Sequence, residues 1–200
     1  MTRTLASRRG SSLVELLTTM LFIAVLTAIS YTFARAALLT TRIYDTKIEA
    51  QEITTLALDM MTRELRMAGF SASGNALVGI RAATHDRVDA ATDLNGDGDT
   101  TDSNERIMYS YNEQKRQLAR ATGGGPQPLV PNVPPDGMRL SYYDSEGSPL
   151  SAGELEMTAA MRDRIRRIDI FLRVEFPNPS PRATEPLTAT QVASVTLRNR

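Results

Sequence analysis

The chain contains no cysteine. That excludes disulfides, thiol redox chemistry and thiolate metal sites. It also leaves any extracytoplasmic domain without a covalent staple for its core. Excess charge of either sign is missing too: 23 Lys and Arg balance 23 Asp and Glu. There is thus no global basic field to hold nucleic acid. Histidine occurs once, as His85 in a polar stretch, and no serine stands in a recognisable nucleophile setting. A lone loop histidine without a nucleophile or orienting group makes a poor catalyst, so the chain is expected not to be an enzyme. The triple glycine 123–125 is followed by Pro126, with no Lys-Ser/Thr and no helix start, so it is not a phosphate loop.

Two further absences are local. Residues 16–34 (LLTTMLFIAVLTAISYTFA) carry no charge. At about 1.5 Å per residue they span roughly 28 Å, close to the hydrocarbon thickness of a bilayer. The four threonines and one serine in this run can bond back to the preceding helical turn. Residues 36–68 contain no proline or glycine, so the helix is expected to run on to a stop at Gly69. Such a helix of about 55 residues would be about 80 Å long. On a helical wheel Ile53, Leu56, Ala57, Met60, Met61, Met67 and Ala68 fall on one side, with Glu64 intruding among them. That face is expected to bury against a sheet, its methionines as plain core.

What precedes the apolar run carries the most information. Arg3, Arg8 and Arg9 form a basic leader, followed by Gly10-Ser11-Ser12-Leu13-Val14-Glu15. Positive residues stay cytoplasmic, so the N-terminus is expected inside and the chain after about residue 40 outside. A secretory signal peptide would share the basic start, and Ala34-Arg35-Ala36 fits the small-x-small cleavage pattern. The apolar run is longer than such a signal needs, however, and helix-forming sequence continues through that point. Glu15 is the anomaly. A charge within a bilayer costs at least about 2.5 kcal/mol on insertion scales.

Leader, Gly10, Ser11, Glu15 and apolar span, in that order, resemble the signal of type IV prepilins and type II secretion pseudopilins. The resemblance implies cleavage between Gly10 and Ser11, N-methylation at Ser11, and a membrane-embedded prepilin peptidase/methyltransferase as partner. The family usually has Phe at the first mature position, where this chain has Ser11. Physically, a new amino terminus at Ser11 is a positive charge at the membrane edge. The Glu15 carboxylate of a neighbouring subunit can neutralise it, and the pair is favourable where either charge alone is costly. Glu15 therefore stands as the assembly residue.

The remainder is expected as a β-rich head. Residues 71–105 are polar and small, which reads as loop. Within them Asp93-Leu94-Asn95-Gly96-Asp97-Gly98-Asp99-Thr100-Thr101-Asp102 matches the first half of an EF-hand loop. Position twelve is Asn104, with Glu105 one residue late. An all-oxygen set suits Ca²⁺. The candidate ligands are Asp93, Asn95, Asp97 and Asp99, with Asp102 and Glu105 completing the shell. Segments 107–111 and 117–121 read as a hairpin, 123–135 as a turn-rich link, and 138–144 as a strand. Residues 153–163 suggest a short helix. Residues 165–176 alternate apolar and charged as a half-buried strand, and 192–197 form a last one.

The expected class is therefore α+β with a type IV pilin-like plan. Residues 1–10 are the leader, 11–38 the transmembrane and assembly helix, and 39–69 its amphipathic continuation. Residues 70–200 form the antiparallel β head, with an Asp-rich loop at 93–105. The helix end Arg63-Glu-Leu-Arg-Met-Ala-Gly-Phe70, the late Arg-Ile-Asp-Ile-Phe-Leu-Arg-Val strand and the terminal Thr-Leu-Arg-Asn resemble PilW-type minor pilins. That resemblance implies a low-abundance subunit of the inner membrane, its head periplasmic, that joins other minor pilins and the major pilin to initiate a pilus at the cell surface. J-type pseudopilins of type II secretion share the plan. A tethered adhesin or binding domain that never polymerises would keep the anchor without needing Gly10 or Glu15.

Overall fold

The computed structural model describes residues 9–150 and 156–199, with the side chains of residues 9–12 excepted. The chain divides into two compact units, one ending at Asp45 and one beginning at Thr46. A single helix, α1 (Arg9–Arg66), supplies the first and opens the second. The absence of proline and glycine from Ser11 to Ala68 lets it run unbroken. The last turn tightens, with Met67 and Ala68 N–H donating to the carbonyls of Glu64 and Leu65. Gly69 then takes φ +78°, where a side chain would be strained, and donates to the Ala91 carbonyl at 2.9 Å. Gly79 lies so close to this stop that a Cβ would fall 2.6 Å from the Gly69 nitrogen.

The unit from Thr46 is α+β, as expected, and its antiparallel head consists of two sheets. The first is a five-stranded meander, β1 (Ile80–Ala83), β2 (Arg87–Ala91), β3 (Arg106–Asn112), β4 (Gln117–Ala121) and β5 (Gln127–Val130), in sequence order. The second comprises β6 (Met138–Tyr143), β7 (Pro149–Leu150), β8 (Arg167–Phe176) and β9 (Leu187–Thr196), in the order β7-β6-β8-β9. Pro131, Pro134 and Pro135 explain the division: they lack the N–H that a next strand would need to extend the meander. Asn132 and Asp136 turn the chain there with positive φ. A short helix, α2 (Ala159–Arg164), is capped by the Thr158 hydroxyl. It falls inside the expected 153–163 but for its last residue; 151–155 lie outside the described residues.

Several expectations change. Residues 71–105 are not all loop, since β1 and β2 lie within them. Their burial is almost continuous, and each strand ends in two alanines, so no alternation marks them. β5 occupies part of the link 123–135, and β9 begins five residues before the expected 192. The hairpin β3–β4 and strand β8 are where the sequence places them. β8 alternates buried and half-buried throughout, from Ile168 to Phe176.

One core joins both sheets to the second half of α1. The helix buries Ala50, Thr54, Ala57, Leu58, Met61, Leu65 and Ala68, a stripe at spacings of three and four. This stripe is rotated from the expected face: Leu56 is 66% exposed, and Met60 and Met67 are also exposed. Glu64 explains the rotation. Its carboxylate takes Nε and Nη2 of Arg120 on β4 at 3.0 and 2.5 Å, together with the Tyr109 hydroxyl of β3. Burial and the adjacent carboxylate raise the Tyr109 phenol far above its ordinary pKa, keeping it a donor. The sheets are tied by Tyr142 of β6, whose hydroxyl donates to the carbonyls of Thr84 and Arg87 at 2.9 and 3.2 Å.

Two substitutions of equal chemistry test the buried face. In urea unfolding of the full chain in detergent, Leu65→Ala is expected to lose about 3 kcal/mol and Leu56→Ala within about 0.5 kcal/mol. Equal losses would mean the helix face is misassigned. Arg120→Ala, which leaves Glu64 with the tyrosine hydroxyl alone, is expected to lose about 2 kcal/mol.

Candidate functional site

Two regions carry chemistry, one in each unit. In the first, Leu13, Val14, Leu16 and Leu17, then Met20, Leu21, Phe22 and Ile23, all stand exposed on α1. From Leu13 the helix includes a segment long and apolar enough to cross a membrane. An uncovered apolar surface of this extent in water marks contact with lipid or with other helices. Its threonine hydroxyls are satisfied internally. Thr18 and Thr19 donate to the Glu15 carbonyl at 2.9 and 2.6 Å, Thr27 to Ile23 at 2.7 Å, and Thr32 to Ile29 at 2.8 Å. These bonds make the segment compatible with hydrocarbon despite its threonines. Among the described residues nothing pairs with the Glu15 carboxylate: Val14 and Leu16 flank it, and the hydroxyls of Thr18 and Thr19, one turn on, are given to the backbone. The backbone of Gly10 and Ser11 is helical. Their side chains, and residues 1–8 of the expected leader, lie outside the described residues.

In the second unit the Asp-rich loop joins β2 to β3 and is closed at its base. Thr92 N–H donates to the Glu105 carbonyl at 2.7 Å, and Asp93 N–H to the Phe70 carbonyl at 2.8 Å. Asp93 is fully buried. Its Oδ1 accepts from the Gly96 N–H at 2.6 Å, and its Oδ2 from the hydroxyls of Ser71 and Ser73 at 2.8 and 3.1 Å. Burial works to raise its pKa; the hydrogen bonds from Ser71, Gly96, Ser73 and Gly98 outweigh it and hold the carboxyl below the ordinary 3.8.

The other five expected ligands are arranged differently. Asp97 and Asp99 Oδ1 accept the N–H groups of Asp99 and Thr101 at 3.0 and 2.8 Å, and Asn95 Oδ1 that of Asp97 at 2.9 Å. The Asn95 amide donates to Asp97 and Asp102 at 2.9 and 2.8 Å. Glu105, 2% exposed, accepts at Oε1 from the N–H groups of Leu94 and Asn95 at 2.8 and 3.2 Å. Of the six, the structure brings oxygens of Asp97, Asp99 and Glu105 within 4.8 Å of one another. Asp93 faces its serines, and Asp102 faces Asn95. Sequence reasoning missed Ser71 and Ser73. Twenty residues or more separate them from Asp93, and no local pattern marks such a pairing.

His85 stands in the β1–β2 turn, its Nδ1 4.0 Å from an Asp86 oxygen. Its carbonyl accepts from Leu140 N–H at 2.7 Å, so its backbone helps join the sheets.

No family model matches the sequence, and no curated protein does. Among solved structures the chain is similar to a type IV-like pilin from Thermus thermophilus. The two are 14% identical, with a TM-score of 0.45, over 74% of this chain and 95% of that one. The architecture rests on the chain's own elements: a long N-terminal helix followed by antiparallel sheets.

The lowered Asp93 pKa has a pH signature. A depressed folded-state value gives stability that is full above 3.8 and is lost as pH falls through the folded-state pKa. The melting temperature of the full chain is expected to exceed that of Asp93→Asn at pH 6, with the gap closing below about pH 4. A gap constant with pH would refute the assignment.

Proposed function

We propose that this chain is a minor type IV pilin of the PilW type. In this reading prepilin peptidase cuts it between Gly10 and Ser11, and it joins other minor pilins and the major pilin in initiating a pilus. The observation that carries the reading is Glu15: a carboxylate placed among uncovered apolar side chains, one helical turn beyond Ser11. The amino terminus of a second, processed subunit supplies the missing cation. Each such pair fixes the axial offset between neighbouring helices, because charges in low dielectric tolerate little separation. The subunit begins in the inner membrane with residues 1–10 cytoplasmic and the β head periplasmic, and it leaves the membrane on assembly.

Supporting features are the unbroken helix through the span and the internally bonded threonines, which let one segment serve first in lipid and then among other helices. A J-type pseudopilin would use the same helix and the same Glu15; it differs in remaining periplasmic and in serving protein secretion.

Mass spectrometry of the N-terminal peptide, in sheared surface filaments and in membranes, tests the reading. A peptide starting at Ser11 in the filament fraction, N-methylated or not, is the expected result. A Ser11 start confined to membranes favours the pseudopilin, and a start near Met1 in both fractions defeats processing altogether. Glu15→Ala is expected to insert in the membrane at the wild-type level yet be lost from filaments; normal incorporation would refute the role of Glu15.

A further inference from the structure

We propose that Asp97, Asp99 and Glu105 form a Ca²⁺ site that locks the β2–β3 loop against the segment following α1. The inference goes beyond the pilin reading and does not depend on it.

Three carboxylate oxygens lie within 4.8 Å of one another. Oxygens sharing one Ca²⁺ at 2.3–2.6 Å can stand no more than about 5 Å apart, so a single ion can contact all three without moving the chain far. Mg²⁺, with contacts near about 2.1 Å and strict octahedral demands, would require a tighter cage. The donors are all oxygen, with no sulfur or imidazole, which favours a hard cation.

The second observation is Glu105 itself. It is 98% buried in effect, being 2% exposed, and its Oε1 is held by the two backbone N–H groups of Leu94 and Asn95. Its Oε2 is buried and accepts no hydrogen bond. A carboxylate oxygen shielded from water without a donor is costly, and a bound cation removes that cost. No lysine or arginine serves instead: among the described residues none pairs with these three carboxylates. Arg106, next in sequence, is bound bidentately by Asp89, and Arg81 gives Nη1 to the Thr100 hydroxyl at 3.0 Å.

The arrangement differs from the EF-hand pattern in an instructive way. Asp93 occupies the first ligand position by spacing, yet its carboxylate is consumed by Ser71, Ser73 and Gly96 and acts as a positioning group. Glu105, one residue late for an EF-hand, is the inner anchor because it begins the climb into β3 and is buried beneath the loop. Asp97 and Asp99 are exposed, so water can complete the shell. Because the loop base is bonded to Phe70 and Ala72, an ion held at its tip stabilises the turn that ends α1.

The test uses the full chain in detergent, stripped with chelator and titrated calorimetrically with Ca²⁺ and, separately, Mg²⁺. The expected result is saturable one-to-one Ca²⁺ binding, weakened at least tenfold in the double variant Asp97→Asn/Asp99→Asn. A rise of several degrees in melting temperature with Ca²⁺ is expected for wild type and not for that variant. Both substituted side chains are exposed, so the variant tests the site without disturbing the core. Glu105→Gln is expected to abolish binding, and Glu113→Gln, on the β3–β4 turn, to leave it intact. No heat and no melting shift at millimolar Ca²⁺ would overturn the proposal. So would binding unchanged in the double variant, or Mg²⁺ binding as tightly as Ca²⁺.

Discussion

A carboxylate on the inner side of a helix must find donors, or the helix must turn it outward. Glu64 finds them on two neighbouring strands, in Arg120 of β4 and Tyr109 of β3. That clamp sets the rotation of α1 over the first sheet. With Glu64 committed, Leu58, Met61 and Leu65 turn into the core, and Leu56 and Met60 turn out. It also couples helix to meander at a point where apolar contact alone would permit the helix to roll. A partly buried ion pair adds little net stability, but breaking one partner leaves an uncompensated charge. Its contribution here is to orientation more than to energy.

The same helix serves two physical environments with one backbone. Beyond Thr46 its buried stripe is narrow and is covered by both sheets. From residue 16 to 34 its surface carries no charge and is exposed throughout. The threonines of that first part bond to carbonyls three or four residues back, so a segment that looks diluted in composition is free of unsatisfied hydroxyls at those positions. The Glu15 carboxylate has no such internal solution, because it needs a donor and the nearby hydroxyls of Thr18 and Thr19 are given to the backbone. Its position just ahead of the uncharged run places that unmet need at one end of the exposed apolar surface.

The Asp-rich loop shows how hydrogen bonding sorts chemically similar residues into separate roles. Asp93, at the loop base, is saturated by serines and a backbone amide and so holds the loop shut. Asn95 links two carboxylates that would otherwise repel. Asp97, Asp99 and Glu105 are left with oxygens close together. Alternating acids along a chain do not say which members face inward.

Much of the molecule was legible because its signals are local. An uncharged run of bilayer length, a stretch free of proline and glycine, and strict alternation along β8 each depend on residues within a few positions of one another. They were enough to place α1, the β3–β4 hairpin, β6 and β8, and to single out Glu15. What the tertiary structure alone decided depends on distant partners. β1 and β2 owe their strand character to pairing within the meander and are buried too evenly to alternate. The chain divides into two sheets because three prolines interrupt the hydrogen-bond ladder after β5. The buried face of α1 follows from Arg120 and Tyr109, 56 and 45 residues from Glu64. Composition and periodicity state which residues avoid water; only the folded chain states which polar group each buried charge will meet.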